Sequence, residues 1–314
     1  MTVTAALLLY VVAVLSIGPK LLVRITADGG APRLAIMAWL TAVMTVLGCS
    51  IAAIALLLIE AAGHFDSADA LLESCLERLH AVLVGHAGWP ARMVATVAVA
   101  IAIGSLVAIG VRIGRALSRM RTHTFAHADA VRMVGRSDGS DVVFIEASEP
   151  AAYCVAGRPP AIVVTTAALA ALDEAQLAAV VAHERAHLDG RHAYVVAAVR
   201  GLTTTLPKIG LFASAATHIS SLLEMCADDA AARRHGRQPL LAGLVTLSGA
   251  NTPAHGLAAA GVAVLARAER LSDPPRGFTR IQTHITLSGA VAAMAAAPLA
   301  IVVLSLSGVL ICFA

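Results

Sequence analysis

Charge is what this chain has least of. Only 14% of its 314 residues are Asp, Glu, Lys or Arg, and the mean hydropathy of +0.80 is too high for an ordinary soluble domain. The shortage is uneven. Residues 1–19, 34–59, 93–111 and 281–314 carry no Asp, Glu, Lys or Arg, and each run exceeds the roughly 18 apolar residues that mark a helix crossing a bilayer. The sequence therefore predicts four membrane spans, at about 1–23, 34–60, 92–112 and 281–314. The first run lacks the basic start and cleavage site of a signal peptide, so it reads as a retained span. Few polar residues interrupt the spans, which argues against a transporter with an incidental motif. The cysteines at 49, 75, 154, 226 and 312 lack paired short spacing, so no disulfide framework is expected. Cys154 and Cys226 read as small buried packing residues. Neither an internal repeat nor a low-complexity tail is present.

The charges that do occur orient the bundle, because Lys and Arg near span ends mark the cytoplasmic side. Lys20, Arg24 and Arg33 flank the first loop, whereas the second carries Glu60, Asp66, Asp69, Glu73 and Glu77 against Arg78. Arg112, Arg115, Arg119 and Arg121 follow the third span. Both termini are expected outside and the long segment 117–280 inside. Arginines directly after a span point to membrane anchoring, so no direct binding of nucleic acid is expected.

Segment 117–280 is long enough for a domain with its own core. Residues 141–146 and 161–166 are short, β-branched and apolar, which predicts two strands. Between them, residues 150–160 are bounded by prolines and glycine, and read equally as a plain hairpin or as an exposed edge strand to which a substrate backbone can add. Residues 194–217 are apolar but hold Arg200, Pro207 and Lys208, and so read as domain helices lying near the membrane surface rather than as a span. Two further helices are expected over 240–247 and 261–271, with 273–277 as the linker to the last span.

The chemistry is concentrated in His183-Glu184-Arg185-Ala186-His187. Two histidines four apart on a helix project from one face, and a glutamate about 100° away can reach a metal-bound water without ligating the metal. Asp173 with Gln176 three residues later starts that helix, Leu177, Val180 and Val181 give it an apolar stripe, and Gly190 stops it. A second helix from about Ser220 to Gly236 places Glu224 and Asp228 on one face. Glu224 would complete a His-His-Glu set for one Zn2+ per chain, with water in the fourth position. Asp228 is placed to accept the free N–H of a ligand histidine. Glu184 is the expected proton carrier, hence a zinc-dependent endopeptidase acting on a protein or peptide. His192 and His218 read as surface histidines or as oxyanion stabilisers.

Motif and layout together resemble the integral-membrane zinc metallopeptidases of the BlaR/MecR antirepressor type, on His183-Glu184-Arg185-Ala186-His187, on Glu224-x-x-Ala227-Asp228, and on the order of three spans, domain and fourth span. The resemblance implies a mainly α, polytopic membrane protein, with an α+β gluzincin domain (117–280) inserted between a three-helix membrane region (1–116) and a fourth span (281–314). It further implies a bacterial plasma membrane, a cytoplasmic active site and regulated cleavage of a cytoplasmic protein, often a winged-helix transcriptional repressor. Antibiotic-sensing members carry a penicillin-binding domain after the fourth span, whereas this sequence ends at Ala314, so direct β-lactam sensing is not implied. The outer loop around Trp89 and Pro90 is left as the segment to receive a signal. A quality-control protease of the HtpX type, a prenyl-protein protease and an inactive zinc-binding receptor are the competing readings.

Overall fold

A computed structural model describes residues 3–62, 89–137, 139–250, 257–275 and 277–306. Two long helices open the chain, α1 (Val3–Thr26) and α2 (Pro32–Ala62), followed by α3 (Trp89–Val134). Strands β1 (Arg136–Ser137), β2 (Val142–Ile145), β3 (Ala152–Val155) and β4 (Ala161–Thr165) come next. The remainder is helical: α4 (Thr166–Ala171), α5 (Glu174–Asp189), α6 (His192–Thr205), α7 (Gly210–His235), α8 (Arg237–Ala250), α9 (Leu257–Ser272) and α10 (Gly277–Leu306). The molecule is thus mostly helical with one small sheet.

Among the described residues, three helical segments are long and apolar enough to cross a membrane: Val3–Thr26, Pro32–Leu57 and Gly277–Ser305. The remaining predicted span, 92–112, falls inside α3, which continues unbroken to Val134. Trp89 and Pro90 form the first turn of α3 rather than a loop. Proline is well tolerated there because a first-turn N–H has no partner within the helix. The acidic second loop over 63–88, together with Cys75 and Cys312, lies outside the described residues.

The sheet order is β1-β2-β4-β3. β4 is buried along its whole length and pairs in parallel with β2, Val143 opposite Val163. β3 pairs antiparallel with β4, Tyr153 opposite Val163, and forms the edge of the sheet. Alternation along β3 sends its residues two ways. Tyr153 and Val155 pack with Ala128 and Val131 of α3, while Ala152 and Cys154 turn towards Leu177 and Val181 of α5.

The largest apolar cluster joins α1 and α2 to the helices that follow the motif. Leu7, Trp39, Val43 and Val46 pack with Val199 and Leu202 of α6 and with Leu211, Phe212, Ala215 and Ile219 of α7. The stretch expected near the membrane surface is therefore built into the bundle. The first loop also docks here. Gly29, in the left-handed region at φ 57°, accepts a hydrogen bond from Arg270 Nε at 3.2 Å, and the same guanidinium meets Asp229 at 2.9 Å.

Candidate active site

Helix α5 is fixed from both ends. Asp173 accepts from the Gln176 backbone N–H while the Gln176 side chain accepts from the Asp173 N–H, closing a capping box. At the other end Gly190 remains in ordinary helical geometry, and it is Arg191, at φ 51°, that turns the chain into α6. Arg185 grips Asp141, at the start of β2, through both carboxylate oxygens, with Nε to Oδ2 at 2.9 Å. Ala179, Val180, Ala182 and His183 are buried, so the helix cannot roll without breaking core contacts.

Helix α7 begins ten residues before the expected start near Ser220 and has no side-chain N-cap. Its buried first half sits in the large apolar cluster, and its second half carries Glu224, Asp228 and Asp229 to the face of α5.

The donor atoms converge. His183 Nε2 lies 3.1 Å from His187 Nε2, and Glu224 oxygens lie 3.4 Å from the first and 3.5 Å from the second. Two ligands on a tetrahedral zinc with bonds of ~2.0–2.1 Å are about 3.3 Å apart, so these spacings fit one such ion held by His183, His187 and Glu224. The other ring nitrogens face outward. His183 Nδ1 is 3.0 Å from Asp228 Oδ1, close enough for strong attraction but off the line of a good hydrogen bond. His187 Nδ1 is 2.9 Å from His192 Nδ1.

Arg267 of α9 completes the cluster. It donates to both oxygens of Asp228, at 2.8 and 2.7 Å, and reaches Glu224 at 3.1 Å. Asp228 is 1% exposed; a carboxylate so deeply buried is stable only when paired. Burial pushes its pKa up, but Arg267 and His183 outweigh burial and hold it below the usual range. Burial likewise opposes charge on His183, yet Asp228 and Glu224 drive its pKa up to about 9. Glu224 is held low by His183, His187 and Arg267 against its own burial. For Glu184 burial dominates and raises the pKa, with the neighbouring histidines pulling the other way. Burial, and then the charge of Glu184, push the Cys154 thiol up to about 12, so it stays protonated beside that carboxyl. Burial and the His187 charge lower His192 to about 4, which keeps its ring neutral. His192 thus braces His187, whereas His218 stacks on Trp39 at 5.2 Å, away from this cluster.

Arg267 escaped sequence reasoning because it lies 39 residues from Asp228 and follows no ligand spacing. Cys154 was expected to be a small packing residue and does pack with Leu177 and Val181; its position on β3 also brings it to Glu184, which sequence reasoning did not anticipate.

Two cavities flank the donor cluster and share Glu224. One of about 240 Å³ is lined by Ala152, Val180, Glu184, Leu247, Val264 and Arg267, among others. The other, of about 640 Å³, runs from His187 and His192 past Cys154 and Ala156 to Met120 of α3, with Arg191 and Arg200 on its wall.

Comparison with known proteins bears on one part of the chain. No curated protein and no solved structure matches it. Residues 119–273 match the family model described as peptidase family M48, whose members are zinc-dependent. The matched segment holds every donor of the cluster and Arg267, and so supports a metallopeptidase joined to membrane-spanning helices; the match is to the M48 family and does not extend to the antirepressor subtype.

Proposed function

We propose that this chain is a membrane-embedded zinc endopeptidase whose active centre faces the cytoplasm and which signals by regulated cleavage of a cytoplasmic, repressor-like protein. The observation that carries the peptidase assignment is the convergence of His183, His187 and Glu224 at tetrahedral spacing with Glu184 beside them. Zinc bound there would supply Lewis acidity to a water and to the scissile carbonyl. Glu184 takes the proton from the attacking water and returns it to the departing amine nitrogen, and its buried setting raises its basicity for that exchange. Asp228 and His192 hold the two ligand rings from behind. Arg267 keeps Asp228 charged. The cytoplasmic orientation is supported by the first loop, whose flanking Lys20, Arg24 and Arg33 mark the inner side, being tied through Arg270 to Asp229, next to Asp228.

One observation favours a second reading, quality control of membrane proteins in the manner of the HtpX type. The larger cavity is walled by Ala116, Met120 and Thr124 of α3, directly beyond the predicted third span, where a membrane-anchored chain would approach. New protein N-termini, compared by mass spectrometry between cells carrying the wild type and Glu184→Gln, test both. Glu184-dependent cleavage of one soluble repressor supports signalling, and many cleaved membrane proteins support quality control. No Glu184-dependent terminus under any condition, cell-wall stress included, would overturn the peptidase assignment.

A further inference from the structure

Strand β3 passes both cavities. Its even-numbered residues, Ala152 and Cys154, and Ala156 just beyond its end are all small, with Ala152 lining the cavity beside Glu184 and Arg267 and with Cys154 and Ala156 lining the larger one beside His187. A strand rises about 3.3 Å per residue, so the distance from Ala152 to Ala156 spans about four residues of any chain laid along this edge. Such a chain has one side chain at each cavity, with the donor cluster between them.

The two cavities differ in chemistry. The smaller offers Val180, Leu244, Leu247 and Val264. An apolar cavity of about 150 Å³ accepts benzene, so about 240 Å³ has room for a leucine or phenylalanine side chain. Beyond the donor cluster, the larger cavity is walled by the arginines of α6 and its entrance turn, Arg191 and Arg200, both exposed. Arg185, Arg267 and Arg270 are all engaged with carboxylates. Arg191 and Arg200 line open space instead.

Resting on the peptidase reading, we infer that Arg191 and Arg200 are specificity residues that select an acidic side chain, on the opposite side of the scissile bond from an apolar side chain seated in the smaller cavity. The substrate class is therefore an extended segment pairing an apolar residue at the cleaved bond with Asp or Glu within about four residues of it. Exposed ion pairs contribute about 0.2–1 kcal/mol each, so two of them give a preference of roughly twofold to thirtyfold over a neutral residue at that position, and more over a lysine, which the same charges repel.

The test uses the full chain, zinc-loaded in phosphatidylcholine nanodiscs, as the Glu184→Gln variant. Fluorescent peptides identical except for Glu or Lys flanking a central Leu-Leu are titrated by anisotropy. The expected result is about tenfold tighter binding of the Glu peptide, reversed in Arg191→Glu/Arg200→Glu with zinc content unchanged. Equal binding of both peptides overturns the inference, as does a preference that survives the double substitution. Abolition of the preference when phosphatidylglycerol enters the nanodisc assigns the arginines to lipid headgroups and overturns it too. Cleavage of the same peptides by the wild type is scored separately. Selective binding without cleavage would sink the peptidase reading while leaving this selection in place.

Discussion

The two walls of the active centre are built by different physics. Helix α5 is defined by its own residues: a capping box at the start, a buried stripe along one face and an arginine clamp to the sheet. Helix α7 has no side-chain cap at its start, and its first ten residues are held chiefly by burial against α1, α2 and α6, with one hydrogen bond from Thr203 Oγ1 to the Phe212 carbonyl. One wall is therefore a soluble-type element and the other an extension of the membrane bundle. His183, Glu224, Asp228 and Arg267 are the bridge between them. The donor set exists only while both walls are in register, so the strength of each wall can be probed through the zinc.

The bridge is the first place to strike. Arg267→Met leaves Asp228 buried without its cation, which costs about 3–5 kcal/mol; a thermal-unfolding scan should show the largest loss of this set, together with weakened zinc binding. An unchanged midpoint would mean that Arg267 is not what holds Asp228 in place behind His183. Phe212→Ala removes a side chain 1% exposed in the first half of α7, at a cost of about 3 kcal/mol. Zinc affinity by chelator competition should fall with it although the substitution lies three turns from Glu224, and intact affinity would show that the bundle does not position the Glu helix. Glu184→Gln lies on α5 but at a residue that is not part of the bridge between the walls. Peptide hydrolysis should drop at least about a hundredfold with stoichiometric zinc retained, and wild-type turnover in that variant would remove Glu184 from the mechanism.

Protons offer a gentler probe. Because the metal-free site holds His183 as imidazolium up to about pH 9, an entering metal must displace that proton. Zinc affinity should then rise about tenfold per pH unit between pH 7 and 9 and flatten above. A flat profile would show that Asp228 does not charge the ring. The smallest effect belongs to the self-sufficient wall. Asp173→Ala should cost about 1 kcal/mol of stability and leave zinc affinity unmoved, and a matching loss of affinity would make α5 as dependent on context as α7.

The same contrast explains what could be read from the sequence. Asp173, Gln176 and the 177–181 stripe announce α5 because their signals are local, and the β-branched runs announced β2 and β4 for the same reason. Residues 150–160 were open between a hairpin and an edge strand. The pairing of β3 with β4 supplies both, since β3 is one arm of an antiparallel pair and also the sheet's edge. The start of α7 was invisible because Gly210 to Ile219 carries no cap and its apolar residues suit any greasy segment. Arg267 and His192 were missed as partners because their meaning depends on contacts that no periodicity encodes. The segment around Trp89 and Pro90 was expected in the outer loop but belongs to the first turn of α3, where proline needs no helical N–H partner.

Gly190 lies between α5 and α6, and a Cβ there would stand 2.3 Å from His192 Nε2. No side chain fits at 190 while the His192 ring leans on His187. A sequence that gains even an alanine at 190 must swing that ring away or replace it. The glycine is thus the condition for that histidine's pose, and a change at 190 is felt first at the back of the His187 ring.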